Sequence, residues 1–275
     1  MSLKLSQTVI MSDVDGTLLH TGADHTSPRN LEALRRYTSK GGRLAIATGR
    51  SIQFIRHLVE ALPVNYPCIT YNGGAIYDFQ KEAYLAQIFL TEEIPAEKYA
   101  KEIRGVFPDC GVVFLSPTGY FDIDGLARAT LSHYYPNPHL QDSGFGQLDA
   151  GPFYKAVFLL PPERCKLIYE YVQTRTFAGV RFVFSDNYML EMLPAASSKG
   201  AAMARLTELT GIPREKMIAI GDYFNDFEMI AYAGIGVTLS DSPKEIREIA
   251  QMIVCPCAQD ALADLIERLE GRYEY

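Results

Sequence analysis

The strongest constraint on the fold is an alternation of apolar runs and helical patterns that occurs at both ends of the chain. Near the amino terminus, the runs "TVIMSD", "RLAIAT" and "CITY" are separated by segments with helical spacing. Near the carboxyl terminus, "MIAIGD" and "GIGVTL" alternate with further helical segments. Such alternation with short loops is typical of a parallel sheet covered by helices on both faces. The sequence therefore predicts an α/β fold with one doubly wound parallel sheet that is built from both ends.

The middle of the chain has a different character. Residues 84–187 are rich in Tyr, Phe and Pro and contain strand-like runs such as "GVVFL", "YKAVFLL" and "VRFVFS". Two halves of one sheet that lie so far apart in the sequence require an inserted module. We predict a core of residues 1–83 and 188–275 and a separate α+β domain of residues 84–187.

The net charge and the cysteine content indicate which classes of partner and which compartment to expect. The chain carries 26 basic and 33 acidic residues, a net charge of −7, so no overall basic field attracts a nucleic-acid backbone or an anionic membrane. Five scattered cysteines, an odd number, are typical of reduced thiols. There is no long apolar run and no secretion signal, so we expect a cytoplasmic protein whose partner is a small molecule.

Polar side chains follow the predicted strands at the points where they end. Asp13 and Asp15 follow "TVIMS", Thr48 follows "RLAIA", and Asp222 follows "MIAI". In open parallel sheets, ligands bind beyond the carboxyl ends of the strands. Several carboxylates placed there would repel one another unless a hard cation neutralised them, and Mg²⁺ prefers oxygen ligands. The sequence therefore predicts a Mg²⁺ site at this edge.

The Asp-x-Asp-Gly pattern alone is also compatible with a plain turn. A calcium-binding EF-hand loop is excluded, because it needs a helix on each side and a Glu at its twelfth position.

Other residues near the strand ends allow two interpretations. Gly16 permits a tight turn that lets backbone amides approach a phosphate. Arg50 and Asn72 follow strand ends and could reach a substrate, or they could be a solvated arginine and a turn asparagine. Asn225 and Asp226 could cap the helix that follows them.

Four segments together suggest a family. In order, "DVDGTLL", "ATGR", "SSKG" and "GDYFNDFEM" resemble the four motifs of the haloacid dehalogenase superfamily, and most closely those of its Cof-type phosphatases. Those enzymes insert a cap domain between the second and third motifs, which is where residues 84–187 fall. The resemblance implies a Mg²⁺-dependent phosphatase that acts through an aspartyl-phosphate. Its substrate would be a sugar phosphate, a phosphorylated cofactor or a nucleotide, selected by the cap.

The resemblance also implies roles for individual residues. These are Asp13 as nucleophile, Asp15 as general acid and base, Thr48, Lys199 and Asn225 at the phosphate, and Asp13, Asp15, Asp222 and Asp226 in or next to the metal shell. The chemistry agrees, because an ionised aspartate can attack phosphorus and a neighbouring carboxyl can protonate the leaving oxygen. A lysine would neutralise the transferring phosphoryl group.

Two alternatives remain open in the sequence. A sugar phosphotransferase or mutase would pass the phosphoryl group to a sugar, although such members of the superfamily usually carry a helical cap after the first motif. A catalytically silent binding module could keep the same fold. Relatives usually carry a small residue and Asn after the last core strand, whereas this chain has Ser240 and Asp241. Asp241 could cap the next helix. The oligomeric state is also open.

Overall fold

The computed structural model describes residues 3–20, 23–128, 131, 140–148 and 151–275. The chain divides into two compact units. Unit 1 comprises Met1–Gln87 and Ser198–Tyr275, and unit 2 comprises Ile88–Ser197. In the part of the chain that the structure describes, no helix is both long enough and apolar enough to cross a membrane.

The strands are, in chain order, β1 (Val9–Ser12), β2 (Arg43–Ile46), β3 (Cys68–Thr70), β4 (Ala75–Asp78), β5 (Ala83–Gln87), β6 (Gly111–Ser116), β7 (Gly119–Ile123), β8 (Leu140–Ser143), β9 (Lys155–Leu159), β10 (Val180–Asp186), β11 (Met189–Pro194), β12 (Met217–Gly221), β13 (Ile235–Leu239) and β14 (Met252–Val254). The helices are α1 (Pro28–Ser39), α2 (Ile52–Ala61), α3 (Ala96–Val106), α4 (Pro162–Gln173), α5 (Lys199–Thr210), α6 (Phe227–Tyr232), α7 (Lys244–Ile249) and α8 (Ala261–Glu270).

Unit 1 is built on a parallel sheet with the strand order β14-β13-β12-β1-β2. Every residue of β1 and of β12 is buried, so the side chains that point to either face of these strands are covered. Full burial on both faces is the property of a doubly wound sheet. The expected α/β fold, with strands from both ends of the chain in one sheet, is confirmed.

The expected strand in the run "CITY" is observed as β3, which lies beside the end of β2 through a parallel bridge between Ala47 and Ile69. Its regular pairing is antiparallel, in a second sheet with the order β3-β4-β5. Tyr71 and Asn72 both have a φ of 54°. This left-handed backbone reverses the chain directly after β3, so that β4 folds back against it.

Unit 2 contains a mixed sheet with the order β10-β11-β9-β6-β7-β8, in which only β7 and β8 pair in parallel. Ala100 and Ile103 of α3 and Ile168 of α4 share a buried cluster with Phe114 and Phe158 of the sheet. The α+β character expected of the middle segment is therefore observed.

The two units divide between residues 87 and 88 and between residues 197 and 198. Strand β5 pairs with β4 in unit 1, whereas β11 pairs with β9 and β10 in unit 2. Strand pairing, which is not visible in the composition, sets both limits.

Candidate active site

Strand register aligns the ends of three neighbouring strands in unit 1. Ser12 of β1 lies beside Ile46 of β2 and Ile220 of β12. The amide of the next residue, Asp13, donates a hydrogen bond of 2.9 Å to the carbonyl of Ile220. The carboxyl ends of these strands therefore place Asp13, Thr48 and the loop after β12 at one edge of the sheet.

Lys199 joins this edge from the first turn of α5. The helix starts there because the Ser198 hydroxyl accepts a 3.0 Å hydrogen bond from the amide of Ala201. The Lys199 side chain is fully buried, and its Nζ donates to Asp13 Oδ1 at 2.7 Å and to Asp226 Oδ1 at 2.5 Å. Burial alone would lower the pKa of Lys199, but the two carboxylates raise it above its ordinary value. The lysine is therefore a fixed positive charge.

Asp226 organises the loop that carries Asp222. Its second oxygen, Oδ2, accepts from the amides of Asp222 at 3.0 Å and Tyr223 at 3.3 Å. Asp222 Oδ1 in turn accepts a 2.6 Å hydrogen bond from the Thr17 hydroxyl. Thr17 lies within the motif "DVDGTLL", but its side chain was not singled out from the sequence. The signal that could have identified it is its position in a loop at a strand end.

Gly16 leaves room for the Asp222 carboxylate. Its φ is +81°, and a Cβ at this position would lie 2.6 Å from Asp222 Oδ2. Any side chain would therefore displace the Asp222 carboxylate. The absence of a side chain at Gly16 therefore allows the close approach of the Asp222 carboxylate.

Three carboxylates of this edge form a group suited to a cation. Asp13, Asp222 and Asp226 each offer an oxygen, and these oxygens lie within 4.8 Å of one another. Burial, followed by the charge of Asp226, raises the pKa of Asp13 well above its ordinary value and that of Asp222 to about 7. Lys199 offsets only one of the three charges. An all-oxygen donor set with excess negative charge fits Mg²⁺.

Asp15 is held by Arg50 and is not one of the three clustered carboxylates. The guanidinium of Arg50 donates to both of its oxygens, from Nε to Oδ2 at 2.9 Å and from a terminal nitrogen to Oδ1. The Asp15 side chain is 48% exposed and that of Arg50 is 14% exposed. The structure thus pairs an expected metal ligand with an expected substrate ligand, through a two-point interaction typical of arginine and carboxylate.

The remaining predicted residues are linked by hydrogen bonds. The Thr48 hydroxyl accepts from the amide of Arg50 at 3.1 Å, and the Thr48 carbonyl accepts from the amide of Asn72 at 3.0 Å. Asn225 Nδ2 donates to Asn72 Oδ1 at 3.2 Å. Among the described residues, the Oδ1 atom of Asn225 is buried without a hydrogen-bond partner. A buried polar atom in this condition is a common sign of a missing ligand or water.

Asp241 does not have its expected capping role. Helix α7 begins at Lys244 with Pro243 at the N-cap position, and no side chain caps it. The Asp241 side chain is exposed, whereas the neighbouring Ser242 hydroxyl accepts a 2.9 Å hydrogen bond from Thr238.

Comparison with known proteins agrees with this geometry. The family model described as haloacid dehalogenase-like hydrolase matches residues 10–266. The chain is 26% identical to pyridoxal phosphate phosphatase YbhA of Escherichia coli K12, over 94% of this chain and 97% of that protein. It is also 26% identical to 5-amino-6-(5-phospho-D-ribitylamino)uracil phosphatase YwtE of Bacillus subtilis, over 96% and 99% of the two chains.

A solved structure is also similar. The crystal structure of a haloacid dehalogenase-like hydrolase from Bacteroides thetaiotaomicron superimposes with a TM-score of 0.80 at 25% identity, over 95% of this chain and 99% of that chain. The motifs, the fold and the family match agree, and the chain belongs to the haloacid dehalogenase-like hydrolases, a family of enzymes.

Proposed function

We propose that this enzyme is a Mg²⁺-dependent phosphatase that hydrolyses a small phosphorylated metabolite through an aspartyl-phosphate on Asp13. One observation carries the proposal: the buried Asp13 carboxylate bonded to Lys199, beside Asp222 and Asp226 at the end of a parallel sheet. Similarity to proteins named as phosphatases supports the reaction class. The five cysteines are unpaired, which supports a reducing, cytoplasmic compartment.

Asp13 is proposed as the nucleophile because Lys199 fixes one of its oxygens and so orients the carboxylate. An ionised carboxylate is needed for attack, yet burial and the other acidic groups raise the pKa of Asp13. Lys199 and a cation held by Asp13, Asp222 and Asp226 would favour the ionised form. Mg²⁺, when bound, would neutralise phosphate charge and reduce the repulsion between two anions.

Asp15 is proposed as the general acid and base. In the structure both of its oxygens are bound by Arg50, so proton transfer to a leaving oxygen requires Asp15 to release at least one of these bonds. Thr48 and Asn225 are proposed phosphate ligands, which would donate from the Thr48 hydroxyl and from Nδ2 of Asn225. Unit 2 is proposed as the cap that selects the leaving group.

The test is a panel of phosphate esters assayed for phosphate release with Mg²⁺ and with a chelator. We expect turnover of one or more small metabolites only with Mg²⁺. We also expect phosphorylated protein, 80 Da heavier by the mass of an added HPO₃, in rapidly quenched wild-type enzyme but not in Asp13→Asn. Transfer of the phosphoryl group to an added sugar would favour a phosphotransferase. Absence of any turnover or phosphoprotein would favour a silent binding module.

A further inference from the structure

The turn that follows β3 has an unusual backbone conformation. The φ angles of Tyr71, Asn72 and Gly73 are 54°, 54° and 95°, so three consecutive residues have positive φ. Glycine adopts such a conformation readily and asparagine tolerates it, whereas it is strained for a side chain as large as tyrosine. Strained backbone persists only where the surrounding structure enforces it, and it clusters at functional sites. We call residues 71–73 the left-handed turn.

Backbone hydrogen bonds attach the left-handed turn to the loop after β2. The amide of Tyr71 donates to the carbonyl of Arg50 at 3.1 Å, and the amide of Asn72 donates to the carbonyl of Thr48 at 3.0 Å. Asn72 is buried, with 1% of its surface exposed. The turn therefore fixes the backbone of the segment that carries Thr48, a proposed phosphate ligand.

The same turn lies against the start of α5. A Cβ on Gly73 would lie 2.1 Å from the carbonyl oxygen of Ser198, which is closer than any side chain can approach. Ser198 caps α5, and the next residue is Lys199, whose Nζ binds Asp13 at 2.7 Å. The left-handed turn thus contacts both the segment that carries Thr48 and the segment that carries Lys199.

The side chain of Asn72 reaches a third segment of the site. Asn225 Nδ2 donates a 3.2 Å hydrogen bond to Asn72 Oδ1. A carbonyl oxygen only accepts, so Asn72 Oδ1 selects the orientation in which Asn225 turns its NH₂ group toward it. The Oδ1 atom of Asn225 is buried and has no hydrogen-bond partner among the described residues. Within the described part of the chain, the bond to Asn72 is therefore what fixes the Asn225 amide.

The orientation of the Asn225 amide decides what it can offer to a phosphate. Its NH₂ group carries two hydrogens, of which Asn72 Oδ1 accepts one. The group is planar, so the direction of the second hydrogen is set by the first. A phosphate oxygen would accept this second hydrogen, whereas a rotated amide would present Oδ1, an acceptor that repels a phosphate. The bond to Asn72 therefore keeps Asn225 a donor.

We propose that Asn72 is a positioning residue of the phosphoryl site, which orients the Asn225 amide as a hydrogen-bond donor to the phosphoryl group. Asn72 then acts through Asn225 and does not itself bind the substrate. Its left-handed backbone places the acceptor oxygen while the same turn contacts the segments that carry Thr48 and Lys199. This inference rests on the proposed phosphatase function and deepens it.

The experiment is a double-mutant cycle with Asn72→Gly and Asn225→Ala, measured by hydrolysis of acetyl phosphate with Mg²⁺ and by competitive inhibition with inorganic phosphate. Glycine retains the left-handed backbone and removes the acceptor oxygen. Each single variant should lower kcat/KM and weaken inhibition by phosphate about tenfold, the size of a hydrogen bond to a charged group. Because both changes remove the same interaction, Asn72→Gly should cause no loss beyond about twofold when residue 225 is already alanine.

Two further variants separate the side chain of Asn72 from its backbone. Asn72→Ala lacks the same acceptor and is also strained in the left-handed conformation. It should lose as much activity as Asn72→Gly and melt at a lower temperature. Glu82→Gly is the matched control, since Glu82 has a φ of 50° in the turn between β4 and β5, and it should keep the kinetics of the wild type.

Independent losses that add in the double variant, or wild-type kinetics in Asn72→Gly, would overturn the inference while the phosphatase stands. Additive losses with weaker phosphate inhibition would place Asn72 on the substrate itself. A lower melting temperature of Asn72→Gly with unchanged phosphate inhibition would assign Asn72 to stability alone. Failure of the wild type to hydrolyse any phosphate ester, acetyl phosphate included, would instead contradict the proposed function.

Discussion

Each of the two units buries a lysine against a carboxylate, but their charges differ. In unit 2, Lys155 Nζ donates to Glu191 Oε1 at 2.7 Å, and these side chains are 3% and 1% exposed. One positive charge there meets one negative charge. In unit 1, Lys199 meets both Asp13 and Asp226. The first pair is balanced, and the second group has an excess of negative charge.

This difference in charge suggests that the pair in unit 2 serves stability and the group in unit 1 serves activity. Ser185 also donates to Glu191 at 2.8 Å, so the ion pair in unit 2 is supported by a further hydrogen bond. In unit 1, the burial of Asp13 and of Asp222, followed by the charge of Asp226, raises the pKa values of both carboxyl groups, so both are driven toward the protonated form. Folding is opposed by such an arrangement unless a cation binds. We interpret the balanced pair as structural and the unbalanced group as functional.

The largest effect is expected from Asp13→Asn in unit 1. An amide is a poor nucleophile, so turnover should fall by about ten thousandfold or more. The melting temperature in chelator should stay the same or rise, because one buried negative charge is removed. Phosphate release and thermal unfolding measure the two effects. Asp241→Asn, the same change at an exposed site, is the control and should retain activity.

Lys155→Met in unit 2 should reduce stability, in contrast to Asp13→Asn. Glu191 would remain as a buried charge without its lysine, and the free energy of unfolding should fall by about 3–5 kcal/mol. Urea denaturation of the variant measures this loss. Lys155→Met combined with Glu191→Leu should recover most of it, whereas Lys166→Met, on the exposed side of α4, should change little. If the double variant is no more stable than Lys155→Met alone, the loss of stability does not come from leaving Glu191 without its lysine.

The contrast between these lysines also shows what the sequence could predict. The sequence predicts Asp13, Thr48 and Asp222 at one edge of the parallel sheet, because they follow apolar runs that are typical of parallel strands. Lys199 was assigned through a motif. The partnership of Lys155 with Glu191 was not predicted, because it depends on the pairing of β9 with β11, where Val157 lies opposite Glu191.

Loop conformations account for most of the remaining differences. The left-handed backbone at Asn72 turns the chain after β3, and the Asn72 side chain accepts a hydrogen bond from Asn225. The contact of Arg50 with Asp15 likewise joins loops from two different strands. Periodicity of apolar residues carries no information on such contacts, since it reports burial along one element and not the meeting of two loops.

A smaller effect should appear in the pH dependence of stability without metal. The pKa of Asp222 is raised to about 7 from an ordinary value of 3.8, so the folded state binds a proton more tightly than the unfolded state. The stabilisation from this proton is complete below the unfolded pKa and is lost as pH rises through about 7. In chelator, the free energy of unfolding should therefore fall by about 2 kcal/mol between about pH 5 and pH 8.

Chemical denaturation at several pH values, with wild type and Asp222→Asn in parallel, isolates this contribution. The variant should show a flatter profile over the same interval. Glu270, whose pKa is lowered to about 2, contributes stability that is lost only at acid pH, below this interval. Added Mg²⁺ should reverse the trend, because a cation binds the ionised carboxylates. Identical profiles for wild type and variant would show that Asp222 is not the group responsible.

The smallest effect on turnover is expected from Arg50→Ala. This variant tests whether the ion pair of Arg50 with Asp15 positions Asp15 for catalysis. Arg50→Ala removes both hydrogen bonds that hold the half-exposed Asp15 carboxylate. If Arg50 positions Asp15, kcat for an alkyl phosphate should fall about tenfold, since misplacing a catalytic group by a small distance has effects of this order. KM should stay within about twofold.

If Arg50 instead binds the substrate, Arg50→Ala should raise KM and leave kcat nearly unchanged. Steady-state kinetics on one alkyl ester distinguishes these two outcomes, and Arg56→Ala provides a matched control because Arg56 pairs with the exposed Glu82. Arg50→Lys adds a further step, since a lysine keeps the charge but cannot form the two-point contact. If Arg50→Lys restores kcat fully, the charge near Asp15 is sufficient and its orientation by the guanidinium is not needed.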